Sequence, residues 1–195
     1  MSGPVLPRLI GLLYLLIFIA APSGAKTATP LRIVVTLACD VGVALLLYKL
    51  LQPVNRVLSF LAAVFRLVYV LVMSVTALNY FGVTHWFQPS RSADAFDAGY
   101  GWALVPFGAH CAIVGWLIGR SRFLPRVIGL LMMLAGAAYL MFLAPELASR
   151  LFFPWLAIFG VAGEGSLTLW LLIMAVKPNR SADADSQRQR QRSAR

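Results

Sequence analysis

Six apolar runs separated by short polar turns constrain this chain more than any other feature. They are Leu9–Ala21, Leu31–Leu51, Val57–Phe81, Gly99–Ile118, Leu124–Ala144 and Leu151–Val176. A helix needs about 20 apolar residues to cross the hydrocarbon core of a bilayer, so six spans consume about 120. The chain has 195 residues, 60% of them apolar, which matches that demand with little left over. Charged residues make up 12% of the chain, against about 25% in soluble domains. A soluble domain, a disordered chain and a coiled coil are thereby excluded. The pattern predicts an all-α polytopic transmembrane bundle of six helices, with residues 1–177 as a single transmembrane domain.

Punctuation between the runs supports this division. Pro53 and Asn55 make the turn after the second run, Gly119–Arg122 the turn after the fourth, and Pro145, Glu146 and Arg150 the turn after the fifth. Residues 82–98 read as a polar connection, with Trp86 and Phe87 placed where an interfacial aromatic belt is expected. Pro125 falls at the first position of the fifth helix, where proline is tolerated. The first run has two readings. Counted from Val5 it spans 17 residues, with Arg8 snorkelling to the interface. Alternatively, Arg8, the apolar stretch and Ser23–Gly24–Ala25 form a cleavable signal peptide.

The formal net charge is +10. In a soluble chain this prompts a search for nucleic acid; here it acts as an orientation signal. With a cytoplasmic N-terminus, twelve basic residues fall inside, among them Arg8, Lys49, Arg56, Arg120, Arg122 and Arg126. Four fall outside: Lys26, Arg32, Arg91 and Arg150. The bias predicts both termini in the cytoplasm and a multi-pass protein of the inner membrane. Residues 178–195 form a basic tail expected to be disordered, either reinforcing this orientation or binding anionic headgroups. The lipid bilayer is the expected partner, with no nucleic acid. Cys39 and Cys111 lie inside apolar runs and do not suggest a disulfide framework.

Four titratable residues interrupt the runs: Asp40, Arg66, His110 and Glu164. A charge at mid-bilayer costs about 2.5–3.5 kcal/mol on insertion scales, so such residues pair or line a polar cavity. Counted from the basic residues at the span ends, Asp40, Arg66 and His110 lie about 13–15 Å deep and Glu164 about 20 Å. All four fit one mid-membrane layer. Asp40 and Arg66 are expected to pair across the hairpin of the second and third helices, and His110 with Glu164. Arg66 shares its face with Ala62 and Tyr69, so Tyr69 is expected to hydrogen-bond within the layer. Gly160, Gly163, Glu164 and Thr168 make an inward face on the last helix. Metal ligation is disfavoured, because adjacent Cys39–Asp40 and His110–Cys111 point about 100° apart and no paired-ligand spacing occurs.

Gly101, Gly108 and Gly115 recur every seven residues, followed by Gly119, and read as a close-packing stripe that makes the fourth helix central. Pro106 removes a backbone donor there and is expected to bend the helix. At an offset of 70, Asp40 falls on His110, Arg56 on Arg126 and Tyr69 on Tyr139, which hints at a parallel internal repeat.

Several strings, in order along nearly the whole chain, resemble a bacterial membrane family catalogued as domain of unknown function 4386. They are Arg8–Leu15, Cys39–Leu51, Pro53–Arg56, Phe65–Leu67, Phe107–Cys111, Arg120–Arg126 and Gly163–Glu164 with Leu169–Leu172. The resemblance implies a multi-helix membrane fold, no assigned activity and no cofactor. Two functions remain open at this level. One is a binding or transport module whose polar layer handles a proton or a small polar solute. The other is a structural or accessory membrane protein whose buried charges only lock the helices. No Ser–His, His–His or Gly-rich phosphate constellation points to an enzyme.

Overall fold

The computed structural model describes residues 5–83, 92–121, 124–144 and 155–176. It contains six α-helices: α1 Val5–Ala20, α2 Pro30–Leu51, α3 Arg56–Tyr80, α4 Ala93–Arg120, α5 Arg126–Leu140 and α6 Trp155–Val176. Short 3-10 turns follow α1 (Ala25–Thr27) and α5 (Met141–Leu143), and no strand occurs among the described residues. The all-α architecture is the one the apolar runs predict. Trp86, Phe87, the turn at Pro145–Arg150 and the basic tail lie outside the described residues.

Side chains start the helices. Thr29 accepts from the Arg32 amide at 3.4 Å and Pro30 follows at the first helical turn. Asn55 accepts from Leu58 at 3.0 Å, and Ser92 from Ala95 at 3.1 Å. The Ser92 cap opens α4 six residues before the apolar run does, so Asp94 and Asp97, assigned to the connection, are helical. Pro125 is a cap rather than the first residue of α5, because it stands in extended conformation just outside the helix. Pro106 lies inside α4 without ending it.

Four segments are long and apolar enough to cross a membrane: α2, α3, α4 and Arg126–Leu143. The 16 residues of α1 and the stretch Ile158–Ile173 of α6 are apolar but shorter. This is a membrane protein. Its exposed surface is apolar, as a lipid-facing surface requires: Leu31, Val57, Leu71, Val127 and Leu169 all point outward. The inner faces bury Ile10, Val43, Leu117, Met132 and Leu167.

Each helix packs on its neighbours in sequence, and α1 packs on α6. The six therefore close into a ring. α4 takes a place in that ring between α3 and α5, and does not stand at the centre as its glycine stripe suggested. It is nevertheless the most buried candidate span, 61% against 33–39% for the others. The reason is close backbone approach to α5. A Cβ on Gly115 would lie 2.6 Å from the Gly129 carbonyl oxygen, and one on Gly108 would lie 2.8 Å from that of Gly136. Gly129 and Gly136 repeat the seven-residue spacing on the antiparallel partner, so the stripes mesh residue for residue. Gly101 meets only the Phe142 ring, and a Cβ on Gly119 would meet nothing within 4 Å. Gly119 instead supplies bare backbone, which a Cβ on Gly129 would approach at 2.8 Å.

The α1–α2 connection is held by polar contacts. The Arg32 guanidinium donates to the carbonyls of Ala20 at 3.0 Å and Ala21 at 3.1 Å, placing positive charge on the last turn of α1, where unpaired carbonyls collect. Gly24 has φ 144°, in a region that side chains rarely adopt. The next amide, from Ala25, donates to Asp97 at 3.0 Å and ties this connection to α4.

Candidate functional site

Every one of the six helices contributes a side chain to a buried hydrogen-bonded layer: Tyr14 from α1, Asp40 from α2, Arg66 from α3, His110 from α4, Tyr139 from α5 and Glu164 from α6. Arg66 is the hub. It is fully buried, and its large side chain reaches three other helices. Its Nε and Nη2 donate to Asp40 Oδ1 at 2.9 and 2.5 Å. Its Nη1 donates to the Tyr14 hydroxyl at 2.8 Å and to His110 Nε2 at 3.1 Å. A guanidinium can only donate, so Nε2 accepts and the ring proton sits on Nδ1. Nδ1 in turn donates to the Ala62 carbonyl at 2.8 Å. His110 is thereby fixed as a neutral acceptor for the arginine.

The second half of the layer is built differently. The Tyr139 hydroxyl donates to Glu164 Oε1 at 3.0 Å. No hydrogen bond joins this pair to the Arg66 cluster among the described residues. Phe107 stands between them. Its ring lies 5.1 Å from the Arg66 guanidinium carbon, 5.4 Å from the Tyr139 ring and 5.8 Å from the His110 ring. Gly160 leaves the room Tyr139 needs: a Cβ there would collide with the phenol oxygen.

The Asp40–Arg66 pair stands as the sequence predicts. The His110–Glu164 pair does not: His110 turns to Arg66 and Ala62, while Glu164 turns to Tyr139. A histidine beside a carboxylate was expected; the histidine here lies beside a cation. Tyr69 is buried but contributes its ring, 4.9 Å from Phe107, and its hydroxyl makes no hydrogen bond among the described residues. Gly160, Gly163, Glu164 and Thr168 do face inward, and Thr168 hydrogen-bonds the Glu164 carbonyl at 2.7 Å. Tyr14 was missed, and Tyr139 was noticed only as a repeat position. The available signal was one hydroxyl-bearing aromatic in each of two otherwise apolar runs. Among the described residues, no three His, Cys, Asp or Glu side chains converge as a metal site.

Two features of the layer bear on chemistry. Both Arg66 contacts fall on one oxygen of Asp40, and the buried Oδ2 has no hydrogen-bond partner among the described residues. Moreover, the layer holds two carboxylates and one guanidinium, with His110 neutral. With both carboxylates ionised, the layer carries one uncompensated negative charge in a low-dielectric interior, which is costly.

A closed ring of apolar helices around a mixed polar layer defines a helical membrane protein with a buried ionisable centre. The family model described as "Domain of unknown function (DUF4386)" matches residues 27–175, and the chain belongs to that family. It is also 28% identical, over 71% of its length and 78% of the relative's, to an "Uncharacterized protein" of Archaeoglobus fulgidus. No solved structure matches.

Proposed function

We propose that this protein is a membrane-embedded binding module for a single positive charge, which in its simplest form is a proton. The observation that supports this is the charge count of the layer, two carboxylates against one arginine. One bound proton makes the layer neutral. Glu164 is the natural holder, since Arg66 is committed to Asp40 and Glu164 has only a neutral phenol as partner. Proton or small polar solute traffic across the bundle is the activity such a centre serves.

Membrane setting and orientation belong to the same proposal. Arg8, Lys49, Arg56, Arg120 and Arg126 all sit at one end of the ring. That end is the cytoplasmic one by the distribution of positive charge, with both termini there, in a multi-pass inner-membrane domain. The test is a proton count. Protein in lipid nanodiscs is titrated between mildly acidic and alkaline pH beside Glu164→Gln. Wild type is expected to exchange one proton more than the variant. Equal counts would contradict the proposal.

A second reading has its own observation. All three Arg66 nitrogens are occupied, as in a lock that sets helix register. A purely structural centre would tolerate Asp40 and Arg66 both replaced by leucine with no change in proton count.

A further inference from the structure

Asp40 Oδ2 is buried and has no hydrogen-bond partner among the described residues. A small cleft opens at the end of the ring that carries the α1–α2 connection, lined by Ala21, Ile33, Thr36, Tyr69, Met73 and Tyr100. Thr36 lies one helical turn before Asp40, and Tyr69 one turn beyond Arg66, both toward that end. The cleft floor is therefore about 5–6 Å along the helix axes from the ion pair. It has room for about one water. Neither the Tyr69 nor the Tyr100 hydroxyl hydrogen-bonds elsewhere among the described residues, so both can hold a water there.

We propose that this cleft is a one-sided proton inlet to the layer, with Asp40 Oδ2 as the first acceptor and Glu164 as the resting holder. The inference rests on the reading of the layer as a proton-binding centre. A hydronium ion in the cleft loses one proton as its O–H bond breaks and an Oδ2–H bond forms. Water remains, and nothing is oxidised or reduced. The cleft hydroxyls orient the donor. The groups around Asp40 and its partner Arg66 are Tyr14 of α1, Cys39 of α2, Tyr69 of α3, Tyr100, His110 and Cys111 of α4, and Glu164 of α6. Arg66 holds Oδ1, and the buried Oδ2 has no hydrogen-bond partner among the described residues. Toward the other end, the same face of α2 is apolar and buried, with Val43, Ala44, Leu47 and Leu51.

Two methionines make the test internal. Met73 lines the cleft and Met132 lies in the apolar core of α5; both are buried, at 3% and 0% exposure. Hydroxyl radicals generated in water around the nanodisc-embedded protein are expected to oxidise Met73 well above Met132. Ala21→Phe, which plugs the mouth, should bring Met73 down to the Met132 level. It should also slow proton uptake after a pH jump several-fold while leaving the proton count unchanged. Ile33→Phe on the facing wall repeats the plug if Ala21→Phe does not fold. Met73 as protected as Met132 in wild type overturns the inlet, as does labelling that persists in both plugged variants. A one-proton difference from Glu164→Gln with Met73 protected removes the inlet and leaves the binding centre standing. Labelled Met73 without that proton difference overturns the binding centre itself.

Discussion

The two halves of the polar layer solve the same problem by opposite means. On the α2–α3–α4 side, Asp40 meets a full positive charge, and every nitrogen of Arg66 is engaged. On the α5–α6 side, Glu164 meets only the neutral hydroxyl of Tyr139. Phe107 separates them, close to Arg66 on one side and Tyr139 on the other. The first half is an ion pair with a hydrogen-bonded surround and one carboxylate oxygen left over, and its removal in part leaves a stranded charge. The second half is a carboxyl that balances its charge only by taking something up. Rigidity therefore resides chiefly in the first half, and the resting place of the proton in the second.

The largest expected effect breaks the first half. Arg66→Met leaves Asp40 buried without its cation and should cost about 3–5 kcal/mol. Reversible unfolding in mixed micelles reads it. Asp40→Leu combined with Arg66→Leu should recover most of the loss, because two packed apolar groups replace the pair without a stranded charge. A single variant as stable as wild type would deny that the pair is the structural half.

A smaller effect concerns the frame that holds both halves in register. Gly115→Ala drives a methyl into the Gly129 carbonyl and should cost about 1–3 kcal/mol. Gly119→Ala meets no atom within 4 Å and should be close to neutral. Equal losses at the two sites would refute the meshed α4–α5 contact. The smallest expected effect falls on the second half. Tyr139→Phe removes one hydrogen bond and should cost about 1 kcal/mol. Its clearer signature is a change in the proton affinity of the layer, read by the same titration as Glu164→Gln.

Much of this was legible in the residues. The apolar runs locate all six helices, because in a bilayer the length of an apolar stretch and the identity of a helix are nearly one statement. Asp40 and Arg66 could be paired because a tight turn makes their helices antiparallel neighbours and their depths match. The partners of His110 and Glu164 were not legible. Depth places all four residues in one layer but says nothing of the angular order of helices around it, and the closed ring sets Glu164 beside α5. Tyr14 and Tyr139 escaped because a tyrosine is counted among the apolar residues of a run while its hydroxyl completes a network. Arg32 was read as a marker of the outer side; its work on the α1 carbonyls depends on a loop path that periodicity does not describe. The start of α4 was missed because Ser92 and Asp94 signal a helix through capping rather than apolarity.

The most direct test of the central claim is an infrared titration of the protein in nanodiscs, following the carbonyl stretch of a protonated carboxylic acid. The account predicts one such band that appears as pH falls, beyond the carboxyl bands that wild type and Glu164→Gln share. It predicts that Glu164→Gln abolishes the band and that the double leucine replacement of Asp40 and Arg66 alters its midpoint. A layer that shows no protonated carboxyl at any pH at which the helices remain folded, or a band that survives Glu164→Gln unchanged, would contradict it.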